Sequence, residues 1–203
     1  MIIYGSPKSR TLRCLWLLEQ LGVEYKHENV VPGEETSKQW FRDLNPNGKI
    51  PAFKDGDVVI FESAAICCYL ARKFSEKGLI PQSITELALF DQWMFFVMSE
   101  LEQPLWTIGK HKFALPKEHR VEGIKKTALY EWAKAVSVLE VGLENKNKYI
   151  LGDRLSVCDI MIVQTLQWAR NFKVDIDSER VNSYRKRVTA LDSFQRTVKK
   201  YLS

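Results

Sequence analysis

The chain predicts an α/β domain followed by an all-α domain, on two observations: residues 1–76 alternate strand and helix patterns, and from Ser83 onward only helical periods remain. At 203 residues, with 45% hydrophobic and 11% aromatic content, it carries enough apolar side chains for two buried cores.

Ile2 to Gly5 reads as a short strand. Thr11 to Leu21 reads as a helix ended by Gly22, with Cys14, Leu17, Leu18 and Leu21 on one face and Leu12, Leu15 and Trp16 on another. A helix apolar on two sides is buried on two sides. Glu24 to Val30 reads as a second strand and Glu35 to Asp43 as a short helix, while Ala52 to Lys54 and Val58 to Phe61 form a hairpin across Asp55, Gly56 and Asp57. Ser63 to Phe74 closes the domain as a helix. The order βαβ, ββ, α puts a parallel and an antiparallel pair into one small sheet with helices on it, a thioredoxin-like arrangement over residues 1–76.

Residues 76–82, with Gly78 and Pro81, have the character of a domain boundary. Beyond them Leu89, Trp93, Phe96 and Val97 mark one helix face, and Leu129, Trp132, Ala133, Val136, Leu139 and Leu143 mark another. Residues 83–203 are therefore expected to form a helix bundle. One helix start is explicit: the Ser156 hydroxyl can cap the amide of Asp159, the Asp159 carboxylate can reach back, and Leu155 can staple onto Ile160. As a capping residue, Asp159 is expected to contribute about 0.5–2 kcal/mol.

The formal charge of +5 is mild and spread along the chain. Arg185, Lys186, Arg187, Lys199 and Lys200 make the last stretch basic, but Val181, Val188, Leu191, Phe194 and Val198 interleave at helical spacing, so it reads as a solvated helix face and not a nucleic-acid surface. No run approaches the roughly 18 apolar residues of a membrane span, and Met1 leads directly into a strand pattern without a basic flank or cleavage site, so a cytosolic location is expected. Cys14, Cys67, Cys68 and Cys158 fit neither a disulfide ladder nor a metal-ligand spacing. Reduced packing thiols and no metal are expected.

Three separated features converge on one end of the small sheet. Ser9, Arg10 and Thr11 lie between the first strand and first helix; Lys49, Ile50 and Pro51 enter the third strand; Glu62 and Ser63 open the last helix of the domain. Helix N-termini there present unpaired amides that suit anions. Each feature also has a structural reading: Ser9 or Thr11 as a helix cap, Pro51 as a trans proline at a strand start, and Glu62 with Ser63 as a cap and first-turn acid.

Four stretches in register resemble the cytosolic glutathione transferases: residues 4–13, beginning Tyr4, Gly5, Ser6; residues 45–51, Asn-Pro-Asn-Gly-Lys-Ile-Pro; residues 62–66 with Tyr69 and Leu70; and the capped segment 151–159. The resemblance spans both domains, and the opening around Ser9, Arg10 and Arg13 is most similar to bacterial and fungal serine-type members. It implies a cis peptide before Pro51, with the Ile50 amide and carbonyl meeting the cysteinyl backbone of glutathione as an added strand. It implies that Glu62 and Ser63 take the γ-glutamyl end and that Lys49 meets the glycyl carboxylate. Ser9 is the best match for the thiol-activating hydroxyl, with Thr11, Arg10 and Arg13 as alternatives. Arg10 stands where some bacterial members carry a catalytic cysteine, which argues against mixed-disulfide chemistry at that position. Tyr4 is expected to pack under the sheet.

The resemblance further implies a cytoplasmic, homodimeric glutathione transferase of detoxification type, with glutathione as co-substrate and a hydrophobic electrophile as second substrate. Glutathione-dependent disulfide or peroxide reduction and a non-catalytic transferase-like binding protein are the alternatives. The apolar stretch 94–106, including Phe95, Met98 and Trp106, could line the electrophile side or serve as core or dimer contact, with Pro104 ending or kinking its helix.

Overall fold

The computed structural model of the chain describes residues 1–144 and 148–203. It forms two compact units, Met1–Ile80 with Thr189–Ser203, and Pro81–Val188.

The first unit contains β1 (Ile2–Tyr4), α1 (Thr11–Leu21), β2 (Lys26–Glu28), α2 (Glu34–Ser37), α3 (Gln39–Arg42), β3 (Ala52–Asp55), β4 (Val58–Phe61) and α4 (Ser63–Lys73). The sheet order is β2-β1-β3-β4, with β1 parallel to β2 and antiparallel to β3, and β3 antiparallel to β4. β1 therefore lies between both kinds of neighbour: the α1 crossover returns β2 parallel to it, the connection through α2 and α3 returns β3 antiparallel, and the hairpin at Gly56 adds β4 to β3.

α1 is buried on both faces, including Leu12, Leu15, Trp16, Leu17 and Leu18. Its end is fixed by Gly22 at φ 69°, whose N–H bonds the Leu18 carbonyl at 3.0 Å, a left-handed C-terminal turn that glycine adopts without a Cβ penalty. The second strand is shorter than residues 24–30, since only three residues pair at the sheet edge. The expected helix over residues 35–43 is interrupted at Lys38, whose ψ of 147° is extended and separates α2 from α3.

The C-terminal residues, counted with the helical domain in the sequence reading of 83–203, belong to the first unit. Helix α10 (Asp192–Tyr201) covers the second apolar face of α1: the Trp16 indole N–H donates to Ser193 Oγ at 3.1 Å and its ring meets Phe194 edge-on at 4.8 Å. The sequence demands a cover for Trp16, but periodicity alone cannot say that it comes from the far end of the chain.

In the second unit run α5 (Ile84–Phe96), α6 (Gln103–Gly109), α7 (Ile124–Gly142), α8 (Val157–Asn171) and α9 (Glu179–Thr189). Between α5 and α6 lies a π-helical segment, Val97–Leu101, and Pro104 occupies the first turn of α6. The expected break at Pro104 is thus a helix restart, where proline's missing N–H costs nothing. α5 and α7 approach so closely at Gly142 that a Cβ there would lie 2.2 Å from the Trp93 ring. α8 is buried over most of its length.

Asp159 at the start of α8 is fully buried and accepts four hydrogen bonds: from Ile150 N–H (2.9 Å), Ser156 N–H (2.8 Å), Ser156 O–H (2.8 Å) and Tyr184 O–H (2.6 Å). Burial pushes its carboxyl above the ordinary carboxylate value, while these donors pull it down. The expected capping pair is present, but it also ties the preceding loop and α9 to α8. No helix among the described residues is long and apolar enough to cross a membrane.

Candidate active site

The site is built around Gly5, where β1 ends. Gly5 has φ 143°, and a Cβ placed on it would lie 2.3 Å from Thr11 Oγ1 and 3.0 Å from Ile50 Cβ. This residue must be glycine because the start of α1 and the residue before Pro51 both press against it. The juxtaposition brings the 9–11 and 49–51 segments together, as the three-feature reading requires.

Ser9 is half-buried. Its hydroxyl donates to the Ser6 carbonyl at 2.6 Å, accepts the Thr11 N–H at 3.1 Å and lies 2.9 Å from Thr11 Oγ1. The Ser6 carbonyl also accepts the Ser9 N–H at 3.1 Å, so it keeps a partner if the hydroxyl turns elsewhere. Thr11 is sealed from solvent beneath Gly5. Arg10 is half-buried just before α1. Arg13, one of the alternatives for meeting a thiol, is fully buried, and its Nη1 donates to Ser63 Oγ at 3.3 Å. It therefore joins α1 to the start of α4 inside the unit.

The Ile50–Pro51 bond is cis, as the resemblance implies. The side chain of Ile50 packs with Tyr4 and Leu44 against Val30, Phe41 and Ala52, which places Tyr4 on that core as expected. Among the described residues no hydrogen bond engages the Ile50 main chain. The loop before it is held by Asn45, whose Oδ1 accepts the Asn47 N–H at 3.0 Å and whose Nδ2 donates to the Lys49 carbonyl at 2.6 Å. Asn45 is only 3% exposed, and the sequence reading gave it no role beyond its motif. The Lys49 side chain is exposed.

At α4 the first intrahelical bond is Ile66 N–H to the Glu62 carbonyl at 3.0 Å, and no side chain caps the helix. The N–H groups of Ser63, Ala64 and Ala65 therefore face outward from the positive end of the helix, a setting that attracts a carboxylate. Glu62 is exposed and has φ 72° and ψ 116°, a conformation costing a non-glycine residue about 1–3 kcal/mol and concentrated at functional sites. Ser63 is only 1% exposed; because Arg13 donates into its hydroxyl oxygen, the hydroxyl's own hydrogen is directed to another acceptor.

Among the described residues no disulfide joins the cysteines, and no group of three or more His, Cys, Asp or Glu is arranged to hold a metal. Cys14 and Cys67 meet between α1 and α4, the Cys67 thiol donating to Cys14 Sγ at 4.0 Å, and this bond together with burial pushes the Cys67 thiol up.

Residues 1–72 match the family described as glutathione S-transferase, N-terminal domain, and residues 90–192 match glutathione S-transferase, C-terminal domain. The chain is 32% identical to a probable glutathione S-transferase (GSTF2) of Oryza sativa subsp. japonica, over 79% of this chain and 76% of the relative. A glutathione transferase structure from Methylococcus capsulatus superposes with a TM-score of 0.88 at 28% identity, covering 98% of both chains. A theta class glutathione S-transferase from Xanthomonas axonopodis pv. citri, with glutathione bound, superposes with a TM-score of 0.82 at 27% identity over 100% of this chain and 98% of that one. With both domain families matched in order on a four-stranded mixed sheet followed by helices, the chain belongs to the glutathione S-transferase family and is a glutathione transferase.

Proposed function

We propose that this transferase binds glutathione against Ile50 and the start of α4, and that Ser9 stabilises its thiolate for attack on a hydrophobic electrophile. The observation carrying this reading is the meeting of Ile50 and Thr11 at Gly5, with the Ser9 hydroxyl 2.9 Å from Thr11 Oγ1. A ligand hydrogen-bonded to the Ile50 main chain would have its cysteinyl residue beside that hydroxyl. The γ-glutamyl carboxylate would take the Ser63 amide and hydroxyl, Glu62 would pair with the α-amine, and Lys49 would meet the glycyl carboxylate.

Lowering a thiol from about 8.5 by two pKa units requires roughly 2.7 kcal/mol. One charge-assisted hydrogen bond contributes about 1.5–3 kcal/mol and the N-terminal field of α1 about 0.3–1 kcal/mol. Ser9 can supply the bond because Ser6 keeps its main-chain partner when the hydroxyl turns away, and because Thr11 continues to donate into Ser9 Oγ. Sulfur then attacks the electrophilic carbon, a C–S bond forms, the leaving group departs with its electron pair, and the thiol proton goes to solvent. Serine-type chemistry, homodimerisation, cytosolic location and a detoxifying role belong to the same proposal.

Calorimetric titration with glutathione and an assay against a panel of aryl halides test it. Saturable binding and conjugation are expected. Neither binding nor conjugation of any panel member would overturn it.

A further inference from the structure

We propose that His27 is a positioning residue for thiol activation, bracing the Ser9 loop through Gly5 and itself braced by the C-terminal helix. The inference rests on the assignment of Ser9 as the activating hydroxyl.

The parallel pairing of β1 with β2 runs from Lys26 N–H to the Met1 carbonyl (2.9 Å) to Gly5 N–H to the Glu28 carbonyl (3.0 Å). Continuing that ladder would bring the amide of residue 30 to the Gly5 carbonyl. β2 ends at Glu28, and the imidazole of His27 takes the place of the missing amide, with Nε2 2.7 Å from the Gly5 carbonyl oxygen. A carbonyl can only accept, so Nε2 carries the hydrogen; the neutral Nε2–H tautomer and the imidazolium both make this bond. Both main-chain polar groups of Gly5 are thus held from β2.

Two contacts carry this restraint onward. Thr11 Oγ1 fills the space where a Gly5 side chain would stand, and Ser9 Oγ lies 2.9 Å from Thr11 Oγ1. A shift of Gly5 moves the support of the Ser9 hydroxyl. On its other side the His27 ring meets Tyr201 of α10 edge-on, with centroids 5.2 Å apart and planes at 88°. Tyr201 is fixed in turn: its hydroxyl lies 2.6 Å from Tyr25 Oη, which donates to Glu19 Oε1 at 2.6 Å, and Lys200 Nζ reaches the same carboxylate oxygen at 2.7 Å. The end of the chain therefore sets the orientation of an imidazole two contacts away from Thr11.

The test is the ultraviolet thiolate absorbance of bound glutathione, titrated against pH in the parent, Ser9→Ala, His27→Phe and His27→Gln, with kcat, glutathione Kd and melting temperature for each. His27→Phe keeps a ring for Tyr201 and loses the donor; His27→Gln offers an amide N–H to the same carbonyl. Ser9→Ala should raise the apparent thiol pKa most. His27→Phe should raise it less and lower kcat by about 2- to 12-fold, the range that one neutral hydrogen bond spans, with glutathione Kd nearly unchanged. His27→Gln should restore both values. A parent-like pKa in His27→Phe beside a raised one in Ser9→Ala overturns the role of His27 and leaves Ser9 standing. An unchanged pKa in Ser9→Ala refutes the Ser9 assignment and this proposal with it. A loss of kcat that Gln does not rescue, or that follows a lowered melting temperature, makes His27 a structural residue only.

Discussion

Replacing Gly5 by alanine perturbs the point on which the site converges. The added methyl would sit 2.3 Å from Thr11 Oγ1 and 3.0 Å from Ile50 Cβ, so Thr11 or the loop has to retreat by about 1 Å to reach ordinary contact. The φ of 143° adds strain that an alanine meets and a glycine does not. Strain of this kind costs about 1–3 kcal/mol and overpacking a further 1–3 kcal/mol, giving a loss of roughly 2–6 kcal/mol. Gly56→Ala is the control without the overlap, because Gly56 has φ 60°, in the left-handed region that L residues can reach, and nothing within 4 Å of its ideal Cβ. Urea unfolding of both variants should show Gly5→Ala less stable than Gly56→Ala by at least about 1–3 kcal/mol, the overlap together with the greater backbone strain at φ 143°. Glutathione affinity should fall at least about tenfold in Gly5→Ala, since misplacement by about 1 Å separates groups that must act together, and stay unchanged in Gly56→Ala. Equal stability of the two variants, with parental glutathione affinity in Gly5→Ala, would refute the convergence at this residue.

Asn45→Ala removes the bonds to Asn47 and Lys49, and should cost about 1–3 kcal/mol in urea unfolding while weakening glutathione binding on calorimetry more than it lowers kcat at saturation. In the second unit, Asp159→Ala strands the buried donors of Ile150, Ser156 and Tyr184 and should cost about 3–5 kcal/mol, whereas Tyr184→Phe removes one donor to a charged group and should cost about 1.5–3 kcal/mol. Because these groups share one network, the double variant should lose less than the sum of the two, as measured by a thermal or urea double-mutant cycle.

The local signals legible in the sequence were those in which a short stretch decides its own structure. The helix Thr11–Leu21 with its Gly22 stop, the Gly56 hairpin and the start of α4 at Ser63 follow from periodicity and turn chemistry. Of the proposed site, the sequence offers three separate segments, and only the sheet shows that the 9–11 and 49–51 segments meet at Gly5. What escaped was set by partners distant in the chain. Arg13 reads as an alternative to Ser9, and its burial against Ser63, fifty residues on, is visible only in the fold. His27 carries no motif, and its role appears only once β2 is known to end at Glu28. Asp159 reads as a cap worth about 0.5–2 kcal/mol, and becomes a deeper structural anchor because Tyr184 and Ile150 also bond it. Periodicity extends the helical domain to residue 203, yet α10 covers Trp16, a demand visible in α1 whose answer lies nearly the whole chain away.

The γ-glutamyl carboxylate at the start of α4 is the central claim, and calorimetry can remove that group from the ligand and leave the protein intact. Glutathione and its analogue with γ-aminobutyrate in place of γ-glutamate differ only by the α-carboxylate that the Ser63 amide and hydroxyl are assigned to hold; the amine assigned to Glu62 is kept. A charge-assisted contact of about 1.5–3 kcal/mol predicts that the analogue binds about 10- to 100-fold more weakly. Equal affinity for the two ligands would contradict the account.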